Sequence, residues 1–261
     1  MDLAPDLKTM LDIEEIDRDL YRGKNSMEAS YRTRLYGGQV AAQALKAAGL
    51  TVPEGRHPHS LHGYFLRPGL VDRPVILRVD RDRDGGSFSA RHVVAVQEGE
   101  VIFSMLCSFH VDKAGPTFEA EPLAAPDPDS LPQRRNDPLI NIREINPTGT
   151  IDGKEFHADR MWVRTAHPVP DDRLTGACVL TYISDMGSGF GQLDVAGLST
   201  AGPSIDHAVW FHHPVSLDGW LLHEMWPWKA GGQRGVYLGS IRDGHGILAA
   251  TLSQESMLRP L

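Results

Sequence analysis

Gln254 is the residue whose type and place first ask for a chemical reason. Residues 244–251 read "GHGILAAT" and continue as "LSQES", a stretch that alternates like a strand. Leu248, Ala250, Leu252 and Gln254 share one face, while Ile247, Ala249, Thr251 and Ser253 share the other. Three apolar side chains ending in an amide aim that amide at a core. A buried amide without partners costs roughly 1–3 kcal/mol, so something polar must meet it there. Its oxygen accepts and its nitrogen donates, which suits it to orienting other polar groups.

Other patterns that carry chemistry elsewhere fail here. "HHPVSLDG" at 212–219 approaches the HHxxxDG motif of acyl-transferring condensation enzymes, but four residues separate His213 from Asp218 where that motif has three. "GSGFG" at 187–191 has a dinucleotide-like glycine pattern without a βαβ unit around it. No GxSxG nucleophile elbow is present. Twelve histidines form no HExxH and no metal-ligand spacing, so His62 and His207 are read as hydrogen-bonded structural residues. No metal or cofactor is expected.

The 261 residues suffice for one large or two smaller domains, and 41% apolar with 23% charged residues is ordinary for a globular protein. A net charge of -8 without a Lys/Arg cluster argues against nucleic-acid binding. Cys107 and Cys178 stand far apart, which suggests reduced thiols. The acidic start is unlike a signal peptide, no apolar run is long enough for a membrane span, and "MLRPL" is no peroxisomal address. A cytoplasmic location is the expectation.

The elements that would position such residues fall in two matching sets. "YGGQVAAQALKAAGL" reads as a helix, with Val40, Ala41, Ala44, Leu45 and Ala48 in register and Gly49 at its end. Four strand-like segments follow: "SLHGYFLRP", "PVILRVDRD", "SFSARHVVAVQ" and "EVIFSMLCSFHV". "DGG" at 84–86 and "EGE" at 98–100 supply hairpin turns. Later, "TGACVLTYISDMG" reads as a helix, followed by "SIDHAVWFHHP", "GWLLHEMWPW", "RGVYLGSIR" and "GILAATLSQESML" as strands. Between the sets, the Pro-, Ala- and Asp-rich residues 113–138 read as a linker, giving modules at 1–112 and 139–261. An ungapped offset of 146 residues superposes Phe65 on Phe211, Pro68 on Pro214, Asp72 on Asp218, Gly85-Gly86 on Gly231-Gly232 and Leu106 on Leu252. The chain reads as a duplicated helix-plus-sheet unit with one continuous sheet.

"RLYGGQVAAQAL", "HSLHGYFLRPG" and "RDGGSFSARHVVAVQEGEVIFSMLCSFH", with "CVLTYISDM", "SIDHAVWFHHP" and "TLSQESMLR" in order behind them, resemble the acyl-CoA thioesterase II family, the TesB-like enzymes. The resemblance spans residues 11–259. It implies an α+β double hotdog, and hydrolysis of acyl-CoA to a free fatty acid and CoA. It also implies a homodimer or homotetramer, which exposed sheet edges favour as well. The family's catalytic carboxylate, hydroxyl and amide fall here on Asp185 in "YISDM", Ser204 in "PSIDH" and Gln254 in "LSQES". Some members carry Thr in place of the serine, which keeps the hydroxyl.

Each of the three also has an ordinary structural reading. Asp185 can simply end a helix before Gly187, although acidic groups in a last turn are disfavoured by ~0.3–1 kcal/mol. Ser204 can be a strand-edge hydroxyl, and Gln254 an edge residue. Together they could orient and deprotonate a water, and a backbone N–H at the helix start near Gly38 could serve the oxyanion. Direct attack by Asp185 to form an anhydride stays open, as do a non-catalytic acyl-CoA-binding module and a hotdog hydratase.

Overall fold

The period-two patterns fold as long antiparallel strands, and the two stripes of small residues fold as the helices those strands enclose. The computed structural model describes residues 3–26, 33–133, 135–136, 139–145, 150–151, 154–155, 160–190 and 202–259. The first half runs α1 (Leu7–Leu11), β1 (Glu14–Asp17), β2 (Leu20–Gly23), α2 (Gly37–Gly49), β3 (Arg56–Phe65), β4 (Val75–Asp84), β5 (Phe88–Gln97) and β6 (Glu100–Val111). The second half begins with β7 (Arg135–Asn136), β8 (Ile140–Glu144), the small ladder of β9 (Thr150–Ile151) and β10 (Lys154–Glu155), and β11 (Arg160–Thr165). It continues with α3 (Arg173–Ser184), β12 (Asp206–Phe211), β13 (Leu221–Gly231), β14 (Arg234–Arg242) and β15 (Leu248–Met257).

Among the described residues, thirteen strands make one antiparallel sheet with β3 beside β12 at its centre. From that seam the order is β6, β5, β4, β2, β1 on one side and β15, β14, β13, β11, β8, β7 on the other. The halves mirror each other, and α2 and α3 pack together against the inner face. The helices run antiparallel: Gly38 at the start of α2 lies against Tyr182 near the end of α3, and Gly49 at the end of α2 lies against Leu174. Small side chains allow close packing of α2, whose Ala41, Ala42, Ala44, Ala47 and Ala48 are all buried. Phe103, Phe109, Leu61 and Leu45 fill the first half's core, each contributing about 1.5–3 kcal/mol.

The duplication is real, with a slip. His62 faces Ala208 across the central pair, and Gly63 corresponds to Val209, so the offset of 146 holds there. Gly63 pairs with Met105, whereas Val209 pairs with Leu252. Met105, not Leu106, is therefore the counterpart of Leu252. The cause is one extra residue in the longer turn between β14 and β15. Since side chains alternate, Leu106 points outward and is 58% exposed, while Leu252 is buried.

The proline-rich stretch after β6 is fastened to the second half. Glu119 accepts from Arg242 and from the Leu248 N–H, both at 2.7 Å. Ala124 O accepts from Arg160 Nη2 at 2.8 Å, and Pro126 O from Trp162 Nε1 at 2.9 Å. Beyond the expected strands, β1, β2, β7, β8 and β11 widen both wings of the sheet. These segments are short, and β1, β2 and β7 lack the apolar alternation that marks the long strands, whereas β8 (INIRE) keeps it over five residues only.

Candidate active site

Asp185 is the C-cap of α3, with the left-handed Gly187 (φ 81°) turning the chain away. A carboxylate at a helix's negative end is poorly placed by itself. Here it meets the positive end of the other helix. The N-cap of α2, Tyr36, offers no side-chain cap, and the Gly38 N–H donates instead to Asp185 Oδ2 at 2.7 Å. A residue of the second half thus caps the first half's helix, where negative charge is favoured.

The double glycine makes this approach possible. A Cβ at Gly37 would lie 2.7 Å from Asp185 Oδ2, and one at Gly38 would lie 2.7 Å from the Tyr182 carbonyl oxygen. The Tyr36 hydroxyl donates to that same carbonyl at 2.9 Å, and its ring stands edge-on to Tyr182 with centroids 4.9 Å apart.

Ser204 precedes β12 and is held by a bridge to Ser256 on β15. Its Oγ lies 3.4 Å from Asp185 Oδ1. Gln254 points inward from β15, only 3% exposed, and its Nε2 donates to Ser204 Oγ. The amide at the end of the apolar row therefore meets a hydroxyl, and the hydroxyl a carboxylate.

Burial pushes the Asp185 pKa up to about 6, against hydrogen bonds from Gln254, the Gly38 N–H and Ser204 that hold it down. The same dry surroundings push His207 down to about 4 and His223 to about 3. Tyr237 stands opposite Gln254 on β14 with its hydroxyl buried and without a partner. Its pKa is raised by burial first and by the charge of Asp185 second. A carboxylate that gains and loses its proton close to neutrality, beside an orienting hydroxyl and amide, can take a proton from water and fix the direction of attack.

The structure brings Asp185, Ser204 and Gln254 into one hydrogen-bonded chain. It does not leave the Gly38 N–H free for an oxyanion, because the buried carboxylate occupies it. Sequence reasoning overlooked what Tyr36 and Gly37 do. The available signal was "YGG", two glycines opening a helix where a capping side chain is usual. Among the described residues, no cluster of three His, Cys, Asp or Glu could hold a metal, and no helix is long and apolar enough to cross a membrane.

Two antiparallel helices enclosed by one continuous sheet, with a carboxylate at their junction, define a double hotdog. Family models for the acyl-CoA thioesterase N-terminal and C-terminal domains match residues 28–110 and 119–258. The chain belongs to the acyl-CoA thioesterase II family of TesB-like enzymes and is a thioester hydrolase. Acyl-coenzyme A thioesterase 8 of Rattus norvegicus is 34% identical, over 99% of this chain and 92% of its own length. The crystal structure of acyl-CoA thioesterase II TesB2 from Mycobacterium marinum superposes with a TM-score of 0.83 at 36% identity, covering 98% of this chain and 97% of that one. A hot dog protein from Alicyclobacillus acidocaldarius, 19% identical with a TM-score of 0.76 over 98% of each chain, supports the fold alone.

Proposed function

We propose that the protein hydrolyses fatty acyl-CoA to a free fatty acid and CoA at a site formed by Asp185, Ser204 and Gln254. The observation that carries this reading is the continuous chain from the Gln254 amide through Ser204 Oγ to the buried Asp185 carboxylate. Asp185 accepts a proton from water as the water oxygen bonds to the thioester carbonyl carbon. The tetrahedral intermediate then breaks its C–S bond, and the departing CoA sulfur takes the proton back from Asp185. Ser204 and Gln254 hold the water in line, which lowers the entropic part of the barrier. The same reading takes the enzyme as a cytoplasmic homodimer or homotetramer. Tyr64 and Leu106, more than half exposed on the outer sheet face, supply apolar surface for neighbouring copies.

The test is CoA release from acyl-CoAs of graded chain length, comparing wild type with folded Asp185→Asn, Ser204→Ala and Gln254→Ala. Wild type turns over, and Asp185→Asn loses ~10²–10⁴-fold in rate. Equal rates in wild type and Asp185→Asn would overturn the site. In a single turnover in ¹⁸O-water, label appearing in Asp185 would show direct attack by the carboxylate, with water opening the anhydride at the Asp185 carbonyl.

A further inference from the structure

His207 lies on β12 one position beyond the Ala208–Ser253 pair, which sets it across from Gln254 on the inner face. Its ring is buried, and Nε2 lies 2.7 Å from Ser184 Oγ in the last turn of α3. Its Nδ1 is buried without a hydrogen-bond partner, and so is Gln254 Oε1. A ring nitrogen donates or accepts according to tautomer, whereas an amide oxygen only accepts.

Ser184 has one hydroxyl proton and two acceptors in reach, Thr181 O at 2.9 Å and His207 Nε2 at 2.7 Å. If the proton goes to Thr181, the ring carries its own proton on Nε2. His207 Nδ1 and Gln254 Oε1 are then two buried acceptors without a donor, on residues that face each other across β12 and β15. If it goes to Nε2, the ring proton sits on Nδ1, which becomes a donor toward the acceptor Gln254 Oε1. That tautomer alone supplies a donor toward the unpaired Gln254 Oε1.

We propose that His207, with its proton on Nδ1 and its Nε2 accepting from Ser184, donates to Gln254 Oε1 and fixes which way that amide faces. His207 is then a positioning residue for the hydrolytic site, and this inference rests on the Asp185 reading given above. Protons run in one direction along the chain: His207 to Gln254, Gln254 to Ser204, Ser204 to Asp185. A reversed amide would turn its carbonyl toward Ser204 and draw the hydroxyl proton away from the carboxylate. The contact with Gln254 raises the His207 pKa against the larger lowering by burial, and the ring stays neutral near pH 7.

Two measurements test it. Long-range ¹H–¹⁵N spectra of histidine-labelled protein, with His207 assigned by its absence in His207→Asn, should show the Nδ1–H tautomer. An Nε2–H tautomer would overturn the proposal without reference to activity. In kinetics, His207→Gln still reaches Ser184 but places no donor where Nδ1 stood. It should lose roughly 10–100-fold in kcat with KM nearly unchanged. His207→Asn, whose amide nitrogen stands near the Nδ1 place, should recover most of that loss even if both variants melt lower. Equal kcat in the two variants sinks the positioning role. Asp185→Asn measured alongside separates the failures: an inactive Asp185→Asn beside a fully active His207→Gln sinks this inference alone, and an active Asp185→Asn sinks the site itself.

Discussion

The carboxylate of Asp185 is held between burial, which favours its protonated form, and three hydrogen bonds, which favour the charge. The charged form is the one that accepts a proton from water, so kcat/KM should rise with pH through about 6 and level off above it. A profile flat from pH 5 to 8 would remove Asp185 as the base. Stability has the opposite sign. The folded-state pKa lies above the 3.8 ordinary for an aspartate, so the folded protein binds more protons than the unfolded chain between those values. Stability is therefore lost as pH rises through about 6, by roughly 3 kcal/mol for a shift of about two units. Asp185→Asn never acquires the charge. It should match wild type near pH 4 and unfold at higher urea than wild type at pH 8. An Asn variant weaker than wild type at pH 8 would mean that the lost hydrogen bonds outweigh the relief of burial.

At the scale of elements, the site is the meeting of one helix start with another helix's end. Gly38→Ala places a methyl 2.7 Å from the Tyr182 backbone oxygen, so α2 must move off α3 and off Asp185. A displacement of about 1 Å there should lower kcat/KM ~10²-fold, with a lower melting temperature. Gly176 within α3 is the contrast, since its added Cβ meets nothing within 4 Å. Gly176→Ala should stabilise by roughly 0.5–1 kcal/mol and keep full activity, as read by urea unfolding and CoA release. How the sequence disclosed these features follows from the range of each interaction. The inward face of Gln254 was legible because alternation is local. The α2 helix was legible because its alanines recur at helical spacing. The purpose of Gly37 and Gly38 was not legible, because it depends on Tyr182 and Asp185, which only the folded chain brings near. His207 read as structural for the same reason, since Ser184 and Gln254 reach it from two other elements.

Across the whole molecule, the seam rather than the connecting chain joins the halves. Five residue pairs link β3 to β12, α2 packs on α3, and Asp185 of one half caps the helix of the other. The repeat that announced this arrangement was readable at the turns and central strands. It misled only at Leu106, where one inserted residue exchanges the faces of a strand. The residues after β6 cross to the second half and are tied there by Arg242, Arg160 and Trp162. That anchoring places the loosest covalent link before Glu119. A protease site inserted at Gly115, once cut, should yield two fragments that co-elute on gel filtration and separate only in denaturant. The nicked protein should keep its thioesterase rate, because Gly38 and Asp185 remain in contact across the seam. Neither fragment alone should turn over, since each lacks one side of that contact. Fragments that part without denaturant would show that the covalent link, and not the shared sheet, holds the site together.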